Sequence, residues 1–317
     1  MQQKQTALIL GAGVIGLSSA IRLREAGWDV EIWAKSIPPE TTSNVAAAIW
    51  YPYHAGPVEK VREWGLRTLQ ELLLLSQLPD SGVFLSRGRK VFHRPMGDPW
   101  WKDHVPEFRR LRDREMYGGE SGGYEFQTPV ACMDRYLDYL LNRFESSGGR
   151  IVLKYLSSLS ELPIQSALVV NCTGLGAREL FNDHELYPIR GEVVAIESLS
   201  QDDFFLDTDH PDGILYIIPR EHDCILGGTS VKGEESLLPS VETATDFVNR
   251  CAGVRPEIKG KRWLSHRVGL RPGRHQICLE RVETARGPVI HNYGHGGSGV
   301  TLSWGAADEV LALAERR

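Results

Sequence analysis

No apolar run in this 317-residue chain approaches the length a bilayer-crossing helix needs, so no membrane span and no membrane partner are expected. Positive charge is not in excess either. The 36 Lys and Arg face 41 Asp and Glu, a net charge of -5, which argues against a nucleic-acid binder with its basic face. The five cysteines, Cys132, Cys172, Cys224, Cys251 and Cys278, are odd in number, widely spaced and without a C-x-x-C pair. Buried, reduced thiols, no metal site and a cytosolic setting follow from that pattern. Met1 to Gln5 is polar and leads straight into an apolar run, so a signal peptide is not expected, and the closing Ala-Glu-Arg-Arg is not a peroxisomal address. Internal repeats and low-complexity tracts are missing too. The length still allows a large core and two structural units.

What is present begins at Thr6. Ala7-Leu8-Ile9-Leu10 reads as a strand, Gly11-Ala12-Gly13-Val14-Ile15-Gly16 as a glycine turn, and Val14 to Ala26 as a helix ended by Gly27. Trp28 to Trp33 alternates like a second strand. G-x-G-x-x-G between a strand and a helix is the context in which the motif binds a dinucleotide. Gly11 makes the tight turn, Gly13 keeps side chains away from the pyrophosphate, and Gly16 lets the helix lie close to the sheet. The helix points its free N–H groups and the positive end of its dipole at the phosphates. The acid that usually holds a ribose hydroxyl after the second strand is missing. Lys35 and Ser36 stand there, and a lysine suits a 2′-phosphate, so NADP competes with FAD on this feature.

Further along, Thr41-Thr42-Ser43-Asn44-Val45-Ala46-Ala47-Ala48-Ile49 offers small residues. These suit either close approach to a planar ligand or a capped helix start. Val58 to Leu78 and Met133 to Ser146 read as amphipathic helices, Arg150 to Tyr155 and Ala167 to Asn171 as strands. From Tyr187 the pattern turns β-rich, at Gly191 to Ser198, Gly213 to Pro219 and Asp223 to Thr229, with a short helix at Thr243 to Cys251. Val289 to Tyr293 is a last strand, and Gly294 to Gly299 leads into a helix from about Val300. Both ends of the chain thus aim a helix N-terminus out of a glycine loop.

Four segments, which occur along the chain in the family's order, resemble the FAD-dependent D-amino acid oxidase family. His291-Asn292-Tyr293-Gly294-His295-Gly296-Gly297-Ser298-Gly299 is similar to its C-terminal signature and Thr41 to Ala47 to its flavin-face segment. Tyr216-Ile217-Ile218-Pro219 resembles its substrate strand, and Gly269-Leu270-Arg271-Pro272 its carboxylate-binding turn. The similarity runs from Ala7 to Trp304. It implies an α/β fold, with a Rossmann-type FAD-binding domain (1–80, 128–186 and 268–317) and an inserted, mostly antiparallel β substrate domain (81–127 and 187–267). It also implies FAD as cofactor. Ala12, Gly13, Val14 and Ile15, helped by Thr41, Thr42 and Ser43, would take the pyrophosphate, and Lys35 and Ser36 would lie by the adenosine. Ala47, Ala48 and Ile49 would pack on the isoalloxazine, and Leu156 would offer backbone to the adenine. Gly296, Ser298, Gly299, Val300 and Thr301 would hold the pyrimidine edge, where a helix N-terminus stabilises developing negative charge.

The same resemblance implies oxidation of a D-amino acid, with dioxygen reoxidising the flavin and leaving hydrogen peroxide. A homodimer is compatible with it. Arg271 would clamp the substrate carboxylate, since a planar guanidinium takes two oxygens at once. Tyr216 would donate to the same carboxylate, the Gly297 carbonyl would accept from the amine, and Tyr53 would line the pocket. His291 and His295 are not needed as bases if the protein only orients the α-hydrogen. Departures from the family are Lys35, Tyr51 in place of a common glutamine, and a short Asp209 to Leu215 with no room for a tyrosine-bearing lid, which implies a more open pocket. Ser230 follows Gly227-Gly228-Thr229 where aspartate-specific members carry arginine, so neutral substrates are expected, with Arg220 and Lys232 as substitute cations in the acidic alternative. An NADP-dependent reductase remains the reading from another class.

Overall fold

The computed structural model describes residues 5–53, 55–116, 119–162 and 168–316; Met1 to Lys4 and Ala167, used above, lie outside them. Two sheets organise the chain. The first has six strands in the order Cys278–Thr284, Gly287–Tyr293, Val169–Asn171, Thr6–Leu10, Asp29–Ala34 and Arg150–Leu153. Thr6–Leu10 runs parallel to both its neighbours, and only the Cys278–Thr284 edge strand is antiparallel. Ala7, Leu8, Ile9 and Leu10 are all buried because helices and loops cover both faces, so this strand reads as an unbroken apolar run.

The Val14–Glu25 helix packs beside the Gly299–Glu315 helix, which crosses tightly against Val58–Leu75. A side chain at Gly305 would lie 2.3 Å from the Trp64 backbone, so this crossing requires glycine. Arg22 joins the same helices, pairing with Glu71 at 2.7 Å and Asp308 at 2.9 Å while stacking over Trp304.

The second sheet has nine strands. Its path runs Val231–Lys232, Tyr187–Glu197, Asp223–Gly227, Leu215–Pro219, Phe204–Asp207, Val83–Phe92, Gly122–Ala131 and Arg109–Arg110, with Trp263–Gly273 beside Tyr187–Glu197. All pairings are antiparallel except Val83–Phe92 with Phe204–Asp207. Side chains alternate across this sheet, as a pleated strand requires. Val194, Ile196 and Leu226 face outward under Ala244, Phe247 and Cys251 of the Val241–Val254 helix. Val193, Ala195 and Ile225 face the other way, against Val45, Ala47 and Tyr216. That second face looks toward the dinucleotide-binding unit.

Two expectations change. Gly269 to Pro272 is not a turn but the end of the eleven-residue strand Trp263–Gly273, with Arg271 paired to Ile189 and Pro272 to Pro188. This strand carries two arginines, a histidine, glycines and a proline, so its own composition does not announce it; the long pairing with Tyr187–Glu197 forms it. The strand read to Tyr155 ends at Leu153, where its pairing with Asp29–Ala34 ends. Phe204–Asp207 and Leu215–Pro219 form a hairpin joined by residues 208–214, in line with the short connection anticipated. No helix among the described residues is long and apolar enough to cross a membrane.

Candidate active site

Strand, turn and helix place Ala12, Gly13, Val14 and Ile15 at the tip of the first sheet. Gly11 adopts φ 108°, and a side chain there would lie 2.5 Å from the Cys172 carbonyl oxygen. A side chain at Gly16 would lie 2.0 Å from the Gly11 carbonyl oxygen, so both glycines are required by close backbone approach. Thr42 and Ser43 open the short 3-10 turn Thr42–Val45 beside this tip, with Thr41 as its N-cap, whose hydroxyl donates to Asn44 Oδ1 at 2.7 Å. Ser43 Oγ accepts from the Val14 N–H at 3.0 Å. The C-terminal helix arrives at the same place: a side chain on Gly299 would lie 3.9 Å from Val14 Cγ1.

Neither of the two helices has a side-chain hydrogen bond from its N-cap residue or an acidic residue in its first turn. Their positive ends converge and are not neutralised by any carboxylate of their own, which suits a diphosphate and an electron-rich ring.

The other residues anticipated at the cofactor lie as follows. Ala47 and Ile49 are half-buried, and Ala48 is buried with φ 55°. Leu156 packs with Leu8, Leu10 and Trp33 at the sheet edge. Lys35 is exposed and Ser36 half-buried, at the end of the second strand. Gly296 has φ 54° and faces open space, and Gly297 is exposed. Ser298 Oγ donates to the Tyr53 carbonyl, and Thr301 Oγ1 to the Tyr51 carbonyl at 3.2 Å, so the glycine loop is tied to the Tyr51–Tyr53 segment. Val300 is buried.

The second sheet supplies the other wall. The Arg271 guanidinium lies flat over Gly191, where any side chain would sit 2.2 Å from Nη1. Its Nη1 donates to the Thr229 carbonyl at 3.1 Å, and among the described residues it has no carboxylate partner. The Tyr216 ring occupies the space over Gly227 and Gly228, which are joined by a cis peptide bond. Burial pushes the Tyr216 hydroxyl pKa up, while the charge of Arg271 and a hydrogen bond to it pull the other way. Tyr53 shows the same balance, raised by burial and lowered by Arg271. A side chain on Gly297 would meet Tyr53 Cδ1 at 3.4 Å and Arg271 Cδ at 3.7 Å. Arg271, Tyr216, Tyr53 and Gly297 are thus brought together at the mouth between the two units.

Sequence reading missed the residues that make this wall possible. Gly191, Gly227 and Gly228 leave room for Arg271 and Tyr216, and Thr229 supplies the carbonyl that steadies the guanidinium. Glycines inside β-rich segments were the available signal, since a strand glycine often marks close approach by another group.

Two histidines lie at the glycine loop. His295 is buried, and burial drops its pKa to about 3, so the ring is neutral. His291 is also lowered by burial, with Asn171 Nδ2 3.2 Å from its Nδ1. All five cysteines are free thiols; burial raises the pKa of Cys172 and Cys251 to about 12 and of Cys278 to about 11.

A parallel sheet with a diphosphate cradle, facing an antiparallel sheet with an unpaired arginine, defines a two-unit dinucleotide-dependent enzyme for a small carboxylate substrate. The chain belongs to the DAO family of FAD-dependent oxidoreductases, whose model matches residues 6–313, and its cofactor is FAD. It is 47% identical to a D-amino-acid oxidase of Rubrobacter xylanophilus, over 97% of this chain and 95% of the relative. It is 39% identical to a D-amino-acid oxidase of Dictyostelium discoideum, over 99% of this chain and 92% of the relative. Glycine oxidase from Geobacillus kaustophilus shares the fold, with a TM-score of 0.81 at 17% identity, covering 99% of this chain and 96% of that one.

Proposed function

We propose that this FAD-dependent oxidase oxidatively deaminates neutral D-amino acids to 2-oxo acids, ammonia and hydrogen peroxide. The observation that carries the reading is Arg271, a half-buried guanidinium over Gly191 with no carboxylate partner among the described residues. The 47% identical D-amino-acid oxidase supports the same activity. With FAD as cofactor, the NADP-dependent alternative falls away.

When bound, FAD supplies the two-electron acceptor for the α-carbon hydrogen and passes the electrons to dioxygen. The chain's part is orientation. Arg271 takes both oxygens of the substrate carboxylate, Tyr216 donates its hydroxyl to one of them, and the Gly297 carbonyl accepts from the amine. With carboxylate and amine fixed, one enantiomer aims its hydrogen at the cofactor and the other its side chain. Tyr53 lines the side-chain space. The pyrophosphate would be held by Ala12 to Ile15 with Thr41 to Ser43, and the flavin edge by Gly296, Ser298, Gly299, Val300 and Thr301. Ala47 to Ile49 would lie on the ring, with Leu156, Lys35 and Ser36 at the adenosine end. No side-chain base is required, since His295 is neutral and enclosed. The imino acid leaves for hydrolysis by water, and a cytosolic setting fits the free thiols.

The acidic-substrate reading needs a second cation. Arg220 is already paired with Asp223, and Lys232 Nζ sits 4.0 Å from the Tyr187 ring centroid, so both substitutes are engaged elsewhere. The decisive experiment is anaerobic addition of D-alanine, L-alanine and D-aspartate to the purified flavoprotein. Bleaching of the flavin band by D-alanine alone is expected. Bleaching by D-aspartate alone moves the substrate to the acidic class, and no bleaching by any of the three overturns the proposal.

A further inference from the structure

His93, Asp207 and His210 lie together at the base of the 208–214 connection, on the second sheet and outside the residues assigned to flavin and substrate. One ligand atom from each falls within 4.8 Å of the others. His93 Nε2 is 2.8 Å from Asp207 Oδ2, its Nδ1 is 3.3 Å from the Gly119 carbonyl, and the two imidazoles cross edge to face at 5.3 Å. Asp207 is buried, and its second oxygen, Oδ1, has no hydrogen-bond partner. A buried carboxylate oxygen left without a donor is costly unless something positive completes it.

From this geometry we propose that His93, Asp207 and His210 bind a divalent metal ion of the zinc type. Two imidazoles and one carboxylate are the donor set that suits zinc and its borderline neighbours, and too few oxygens are present for calcium or magnesium. The surroundings prepare the ligands. The Gly119 carbonyl receives the His93 Nδ1–H, so Nε2, 2.8 Å from Asp207 Oδ2, is the nitrogen an ion would take in place of the proton it shares with that carboxylate. The Asp212 N–H reaches His210 Nδ1 at 3.1 Å and the Asp212 carboxylate lies 3.9 Å from it. The ring proton therefore sits on Nε2 and must leave that nitrogen when an ion takes it, and the Asp212 carboxylate is the acceptor beside Nδ1. The nearby cation, Lys90, is paired with Asp209 at 2.8 Å and not with Asp207.

The ion would fasten the 208–214 connection to the end of strand Val83–Phe92. Asp207 pairs with Leu215, next to Tyr216, and the charge of Asp209 acts on Tyr51 beside the pocket. The site therefore borders the substrate opening without contributing to the chemistry, and the proposal stands whether or not the substrate assignment holds.

The test uses tag-free, FAD-loaded enzyme freed of metal by a chelator, with Zn2+ alone as the probe in calorimetric titration. One ion per chain is expected, weakened at least about tenfold in His210→Ala. Metal-free D-alanine turnover should be unchanged by that substitution, and an exposed control, His222→Ala, should bind like the parent. No stoichiometric binding by the parent, equal binding by His210→Ala, or equal weakening by His222→Ala overturns the proposal.

Discussion

Two arginines on neighbouring strands of the nine-stranded sheet, Arg190 and Arg271, are treated in opposite ways. Arg190 points to the outer face. There it pairs with Glu192 and donates to the Ser236 and Leu238 carbonyls at 2.8 and 2.6 Å. Glu192 also meets His266 Nε2 at 2.6 Å and accepts from the Ser240 N–H at 3.0 Å, so every charge in that cluster is answered within the chain. Arg271 points to the inner face, where the Thr229 carbonyl and Tyr216 steady it and no carboxylate arrives among the described residues. The charges of the outer cluster are therefore closed on one another, whereas Arg271 on the inner face is not matched by a carboxylate among the described residues. Satisfied buried charge holds the scaffold, whereas a cation without a counter-ion is free to meet a ligand's charge, which is the role proposed for Arg271.

Breaking the closed side should cost most. Glu192→Ala leaves Arg190 buried without its counter-ion and should destabilise the folded enzyme by roughly 3–5 kcal/mol, read from denaturant unfolding with FAD present. Arg271→Ala should leave the unfolding midpoint and the yellow colour in place while weakening D-alanine by roughly 2–5 kcal/mol in anaerobic flavin titrations. If Arg271→Ala unfolds the protein and Glu192→Ala abolishes only substrate binding, the two roles are reversed.

A further test sharpens the contrast through pH. Burial tends to raise the Glu192 pKa, yet the Ser240 N–H, Arg190 and His266 outweigh it and hold the carboxyl below its usual value. Its stabilisation is present above the ordinary value of 4.5 and is lost as pH falls through the lowered one. His295 has no such partners, with Nε2 unsatisfied and a pKa moved from 6.5 to about 3. Below pH 6.5 the unfolded chain takes up this proton first, so stability falls between 6.5 and about 3. His295→Leu should flatten that part of the unfolding profile, and a profile as steep as the parent's removes His295 as its source.

Much of the dinucleotide-binding half could be read directly, because its devices are local. Gly11, Gly13 and Gly16 act within one turn, and the apolar run Ala7 to Leu10 reports its own burial. The substrate half was harder to read. Trp263–Gly273 has weak strand composition and exists through its register with Tyr187–Glu197, which no local window contains. The roles of Gly191 and Gly228 appear only once Arg271 and Tyr216 arrive from elsewhere in the chain. His93 and His210 were not singled out, since the cluster joins a strand end to a hairpin 117 residues away.

From its residues alone the chain declared a nucleotide cradle at each end and a β-rich insertion between them, because turn glycines, helix starts and strand alternation act over a few positions. Which arginine stands unpaired, which carboxylate oxygen lacks a donor and which histidine is sealed from water were decided by tertiary packing. Charge satisfaction depends on partners far apart in the chain, and only the folded arrangement says which of them meet.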